Sequence, residues 1–175
     1  PETTVVKVTK AWVGPKTNSV TVHLLADGTD TGKTITLDEA GNWTGTFSNL
    51  PKYKDGTAIT YTVKEDEVSG YTSEITGDAT TGFTITNTNT EKVNISGTKT
   101  WDDNNNQDGK RPTSITVNLL KNGTKVDSKT VTPDASGAWT YSFSGLDKYD
   151  ATGTEITYTV SEDSVDGYTS TITGT

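Results

Sequence analysis

The chain has 175 residues, a formal net charge of −8, and neither cysteine nor methionine. Disulfides and thiolate metal sites are thereby excluded. An acidic surface with interspersed charges offers no phosphate-neutralising face, which argues against nucleic acid as a partner and against attachment to anionic lipid. Only 29% of residues are hydrophobic, so any core is thin. Preference for Thr, Val, Ile and Tyr over Ala and Leu favours strands and an all-β class. No window is long and apolar enough to span a bilayer, and the opening PETTVV lacks the layout of a signal peptide, so the chain reads as a piece of a longer protein.

In chain order, alternation predicts strands over Val5–Trp12, Ser19–Ala26, Lys33–Leu37, Trp43–Phe47, Ala58–Glu65, Tyr71–Thr76 and Phe83–Thr88. GPKTN, ADGTDTG, DEAGN, NLPKYKDG and GDATTG separate them with turn-forming residues. Short strands at this spacing predict a two-sheet sandwich. The series then repeats. KAW (Lys10–Trp12) returns as KTW (Lys99–Trp101), SVTVHLLADG as SITVNLLKNG, GNWTGTFSNLPKY as GAWTYSFSGLDKY, and ITYTVKEDEVSGYTSEITG as ITYTVSEDSVDGYTSTITG. Two tandem domains follow, 1–90 and 91–175, joined by a short polar link, Thr88 to Val93, that predicts a stiff end-to-end arrangement. The second copy stops at TITGT with no counterpart of GFTITNT, so it is expected to lack its last strand and to leave a sheet edge open, unless that segment has been trimmed from the chain or is supplied by another one.

Three inward-phased positions are polar. Val6, Val8, Lys10 and Trp12 share one face of the first strand; Ile59, Tyr61, Val63 and Glu65 share another; Phe83, Ile85 and Asn87 a third. An unpaired buried charge is costly, so Lys10, Glu65 and Asn87 must meet. They form either a buried Lys–Glu ion pair completed by an asparagine, or a self-reacting set. In the second reading desolvation favours the neutral amine and the protonated acid, Lys10 attacks the Asn87 carboxamide, Glu65 shuttles the proton, and ammonia leaves.

GTKTWDDNNNQDGKRP, the LLxNG turn, GxWTYxFxGL, KYD, ITYTVxEDxVDGYT and FTITNT together resemble the Cna B-type domain repeats of Gram-positive surface adhesins and pilins. The resemblance implies two inverted immunoglobulin-like sandwiches and an intramolecular Lys–Asn isopeptide bond promoted by a buried acid. By position it makes Lys10 and Asn87 the crosslinked pair and Glu65 the proton shuttle; in the second copy it assigns Lys99 and Glu162, with the partner of Lys99 absent from the chain. It further implies stalk repeats of a cell-wall-anchored, extracellular adhesin, with neighbouring repeats as partners, a host ligand reached through other domains, no cofactor, no metal, and no catalysis beyond one self-crosslinking turnover. The alternative is a binding module that contacts host matrix protein or glycan through its loops.

Other signals carry less. DDNNNQDG (Asp102–Gly109) has calcium-loop oxygens but lacks the terminal acid, Ile115 standing in its place, so a solvated hairpin tip is expected. His23 is the sole histidine and falls on the outward phase. Trp12, Trp43, Trp101 and Trp139 occupy equivalent places in the two copies and inward phases, which predicts packing rather than a sugar platform.

Overall fold

The computed structural model describes residues 1–174. All regular structure among them is β, and the chain divides into two compact units, Pro1–Glu91 with Tyr149–Thr154, and Lys92–Lys148 with the residues from Glu155 onward.

In the first unit β1 (Thr3–Val13) lies between β4 (Thr44–Pro51) and β9 (Gly82–Asn89), and β8 (Tyr71–Asp78) closes that sheet, giving the order β4-β1-β9-β8. The facing sheet is β3-β2-β7, from Thr29–Asp38, Ser19–Ala26 and Tyr61–Glu65. Every pairing is antiparallel except β1 with β9, where the first and last strands run side by side in parallel. Alternation places Val6, Val8, Phe83 and Ile85 from one sheet against Val20, Val22, Leu24, Leu37 and Val63 from the other. Burial on that face, rather than strand propensity alone, fixes the register: a slip of one residue would turn every apolar side chain outward.

Two predicted strands are corrected. Trp43 is not in a strand; it sits in the preceding turn at φ +57°, after Asn42 at φ +56°, and β4 begins at Thr44. The run Ala58–Glu65 is broken: β6 (Thr57–Ala58) pairs back on β5 (Tyr53–Lys54), and β7 starts only at Tyr61, whose hydroxyl donates to the Pro51 carbonyl at 2.5 Å.

The second unit reuses the plan. β10 (Lys92–Lys99) pairs with β13 (Trp139–Asp147), and β11 (Ile115–Lys121) lies between β12 (Thr124–Val131) and β14 (Tyr158–Glu162). Val117 stands opposite Glu162 as Val22 stands opposite Glu65, so one register places both acids. Among the described residues β10 has a strand on one side only. The repeat of Tyr71–Thr76 also predicts a strand over Tyr168–Thr173; none forms there, because β8 takes its hydrogen bonds from β9 and the second copy has no such partner within the described residues.

Candidate functional site

Lys10 enters the site from β1, Asn87 from β9 and Glu65 from β7 on the opposite sheet. In the parallel register Lys10 stands beside Ile85, and Trp12 beside Asn87. Lys10 and Asn87 therefore point into the same interior from adjacent strands, offset by two residues, a diagonal that a lysine side chain spans. The Lys10 Nζ lies 2.9 Å from the Glu65 Oε2, with the two side chains 0% and 3% exposed. This approach is a charge contact without hydrogen-bond alignment, so both atoms lack an aligned partner. Asn87 is wholly buried, and both its Oδ1 and Nδ2 are without a hydrogen bond. Each orphaned buried group costs on the order of 1–3 kcal/mol, and native cores rarely leave a whole carboxamide unsatisfied. Burial pushes the Lys10 amine below its ordinary pKa, and the Glu65 carboxylate only partly offsets that.

An aromatic box that sequence reasoning reduced to packing encloses the amine. The Lys10 Nζ sits 4.7 Å above the Trp12 ring, which meets Trp43 edge-on at 5.2 Å and Tyr71 at 5.4 Å. Tyr71 also donates its hydroxyl to the Pro15 carbonyl, closing the first loop over the box. Its signal in the sequence was the GYTS motif repeated in both copies.

The second copy repeats this geometry. The Lys99 Nζ is 2.9 Å from the Glu162 Oε2 and donates to Oε1 at 3.1 Å. It lies 4.6 Å above Trp101, which meets Trp139 at 5.3 Å and Tyr168 at 5.1 Å. The pair is more open here, 17% and 9% exposed, and borders a cavity of about 490 Å³ beside the free edge of β10.

Asp103, in the calcium-like run, is occupied as a carboxylate partner. It accepts from Arg111 Nε at 3.0 Å and Tyr168 Oη at 2.8 Å, while Asn104, Asn105 and Asn106 turn through left-handed backbone that asparagine tolerates. His23 is half-buried, not simply exposed: its two nitrogens approach Asp66 at 2.7 Å and Asp30 at 3.2 Å. Asn118 takes its place in the second copy, donating to Asp163 at 2.9 Å.

The profile of the Cna protein B-type domain matches residues 6–88 and 95–175. The chain belongs to the Cna B-type family. A collagen adhesin of Staphylococcus aureus is 43% identical to it over 183 aligned positions, which cover all of this chain and 15% of that protein. The crystal structure of two B repeat units (B1B2) of the collagen binding protein of S. aureus aligns with a TM-score of 0.68 at 42% identity, over 99% of this chain and 48% of that one. The chain thus spans a small part of its curated relative, and its two copies are tandem Cna B-type sandwiches, as the resemblance of their motifs implied.

Proposed function

We propose that these repeats, taken as residues 1–90 and 91–175, are stalk segments of an adhesin displayed outside a bacterial cell, and that the first is locked by an isopeptide bond between Lys10 and Asn87. The observation that carries this reading is the buried 2.9 Å Lys10–Glu65 contact in the same interior that Asn87, on the strand adjacent to Lys10, enters with its carboxamide buried and without a hydrogen bond. Glu65 accepts a proton from the Lys10 ammonium, and the neutral amine attacks Asn87 Cγ. The Nζ–Cγ bond forms, the Cγ–Nδ2 bond breaks, the remaining proton passes through Glu65 to the departing nitrogen, and ammonia leaves. The new amide removes the orphaned NH₂ of Asn87 and the buried charge of Lys10 together. No cofactor and no turnover are involved. Glu162 serves Lys99 in the same way. Neighbouring repeats are the immediate partners, and any host ligand is held by domains outside this chain.

Intact-mass measurement tests the bond. The native chain is expected to weigh one ammonia less than its sequence, and Glu65→Ala to retain that ammonia. Its melting temperature should fall on the order of 20 °C, since closing residues 11–86 into a loop removes about 4–5 kcal/mol of denatured-state freedom. Full mass in the native chain reduces the site to an ion pair.

A further inference from the structure

The hairpin tips that follow β2 and β11 are built alike but carry different chemistry. Asp27 and Gly28 turn the chain between β2 and β3, whereas Asn122 and Gly123, the one Asn-Gly pair in the sequence, turn it between β11 and β12. Both residues of each tip are left-handed, at φ +48° and +83° in the first copy and +49° and +86° in the second. Asp-Gly and Asn-Gly suit that two-residue turn. Each tip is also clasped to the strand entering on its other side. The Asp27 N–H donates to the Thr60 carbonyl at 2.8 Å, and the Thr60 N–H donates to Asp27 Oδ1 at 2.9 Å. Asn122 repeats this with Thr157, at 2.8 Å and 3.0 Å. The clasp uses only a side-chain oxygen, so an aspartate satisfies it as well as an asparagine.

An Asn-Gly pair holds an electrophile and a nucleophile side by side. Glycine has no Cβ to shield its backbone nitrogen, nothing lies within 4 Å of where a Cβ on Gly123 would be, and both tip residues are exposed. What restrains the reaction is the sheet order β12-β11-β14. The Asn122 carboxamide is drawn toward Thr157 at the entry to β14, while the Gly123 nitrogen leads the chain to β12 on the opposite side of β11. Reacting atoms must approach to about 3–3.5 Å, so the clasp has to open first. We propose that Asn122 is a site of spontaneous deamidation paced by its clasp to Thr157, and that the aspartate product closes the clasp again, as Asp27 does with Thr60. With the clasp open, the Gly123 nitrogen gives its proton to solvent and attacks Asn122 Cγ. The N–Cγ bond forms, the Cγ–Nδ2 bond breaks, and ammonia leaves. Water then adds to Cγ of the succinimide and the N–Cγ bond breaks, leaving a carboxylate that adds one negative charge to the tip. Water addition at the other ring carbonyl gives isoaspartate, whose longer backbone does not re-form a two-residue turn, so only the aspartate branch restores the hairpin.

The test incubates the full chain in mildly alkaline solution, native and in urea, and follows Asn122 by peptide mapping, counting aspartate and isoaspartate together. The amide is expected to be lost about tenfold more slowly in the native chain, because a clasp of hydrogen-bond strength is open only a small part of the time. Asp27→Asn gives the first copy the same pair, and should regain its native aspartate at a similarly slow rate behind Thr60. Thr157→Pro removes the donor and, where it folds, should bring the rate close to that in urea. Asn122→Asp should melt with the native chain, whereas Asn122→Gly, which keeps the turn but offers no oxygen, should melt lower. Equal rates in native solution and urea, an amide that survives both, or Asn122→Asp melting as low as Asn122→Gly overturns the proposal. The succinimide also weighs one ammonia less than the sequence, as the crosslinked chain would. Glu65→Ala separates the two, because an ammonia loss that persists in that variant belongs to Asn122, and one that disappears belongs to Lys10 and Asn87.

Discussion

Lys10 is a cation in a place built for a neutral group. Burial holds its pKa below the ordinary 10.5, with Glu65 pulling the other way, and the proposed crosslink would remove the charge altogether. Asn87→Ala takes away the electrophile and leaves a free amine, which turns that burial into a measurable pH dependence. A cation whose folded pKa is lowered binds fewer protons folded than unfolded, so stability rises with pH between the lowered value and 10.5, and is diminished below it. The denaturation midpoint of Asn87→Ala is therefore expected to climb through the alkaline range up to about pH 10.5. Lys10→Met/Asn87→Ala should lack the climb while keeping the decline that follows when Tyr61, whose pKa is raised by burial, must ionise on unfolding. Identical profiles for the two variants would mean that Lys10 is not desolvated. The meeting of Lys10, Glu65 and Asn87 was legible from period two alone, because a Lys, a Glu and an Asn each fell in phase with buried valines and isoleucines. The aromatic box was not, since alternation says that Trp12 and Trp43 point inward but not that three rings converge on one amine. Nor did alternation show that Trp43 arrives through left-handed backbone, an arrangement set by the turn and not by the strand after it.

At the scale of elements, each copy must seal the end of its aromatic box, and the loops do so differently. In the first, Tyr71 reaches the Pro15 carbonyl of a short loop. In the second, the longer loop folds Asp103 under Arg111 and Tyr168, and Arg111 lies 5.3 Å over Trp101 on the ring that also carries Lys99. Arg111, first among the causes, holds the Asp103 carboxyl far below its ordinary 3.8. A depressed acid contributes stability that is present above the unfolded pKa and lost as pH falls through the folded one. Asp103→Asn is expected to destabilise the second copy at neutral pH and to behave like the native chain in strong acid, below both values. Urea denaturation followed by the fluorescence of Trp101 and Trp139 measures it, with Trp12→Phe/Trp43→Phe removing the first copy's signal. An unchanged midpoint at pH 7 would show that the loop seals nothing. Strand existence and sheet pairing were readable here because the repeat supplied each segment twice. The failures came where pairing depends on a partner rather than on the segment itself: YTSTIT carries the same alternation as YTSEIT, yet forms no strand without a neighbour to take its hydrogen bonds.

Over the whole molecule the parallel pairing of β1 with β9 decides how load passes through the first copy. Tension enters at the N-terminal end of β1 and leaves at the C-terminal end of β9, which lie at opposite ends of two adjacent strands, so the ladder between them is loaded in shear, with its hydrogen bonds stressed together rather than one by one. The proposed bond from Lys10 to Asn87 would sit within that ladder and carry the load directly from residue 10 to residue 87, leaving residues 11–86 outside the path. In single-molecule pulling from the two termini, the native chain is expected to show the extension of the second copy alone. Asn87→Ala should add a further unfolding step on the order of 25 nm, the contour of residues 11–86 at about 3.5 Å per residue. Glu65→Ala should add the same step, because the strap is not expected to form without its proton shuttle, whereas Lys99→Ala should add none, because no asparagine counterpart of Asn87 stands beside Lys99 among the described residues and so no bond is lost. A native chain that extends by both steps would leave an ordinary sheared sandwich, resistant to pulling only for as long as its hydrogen bonds hold.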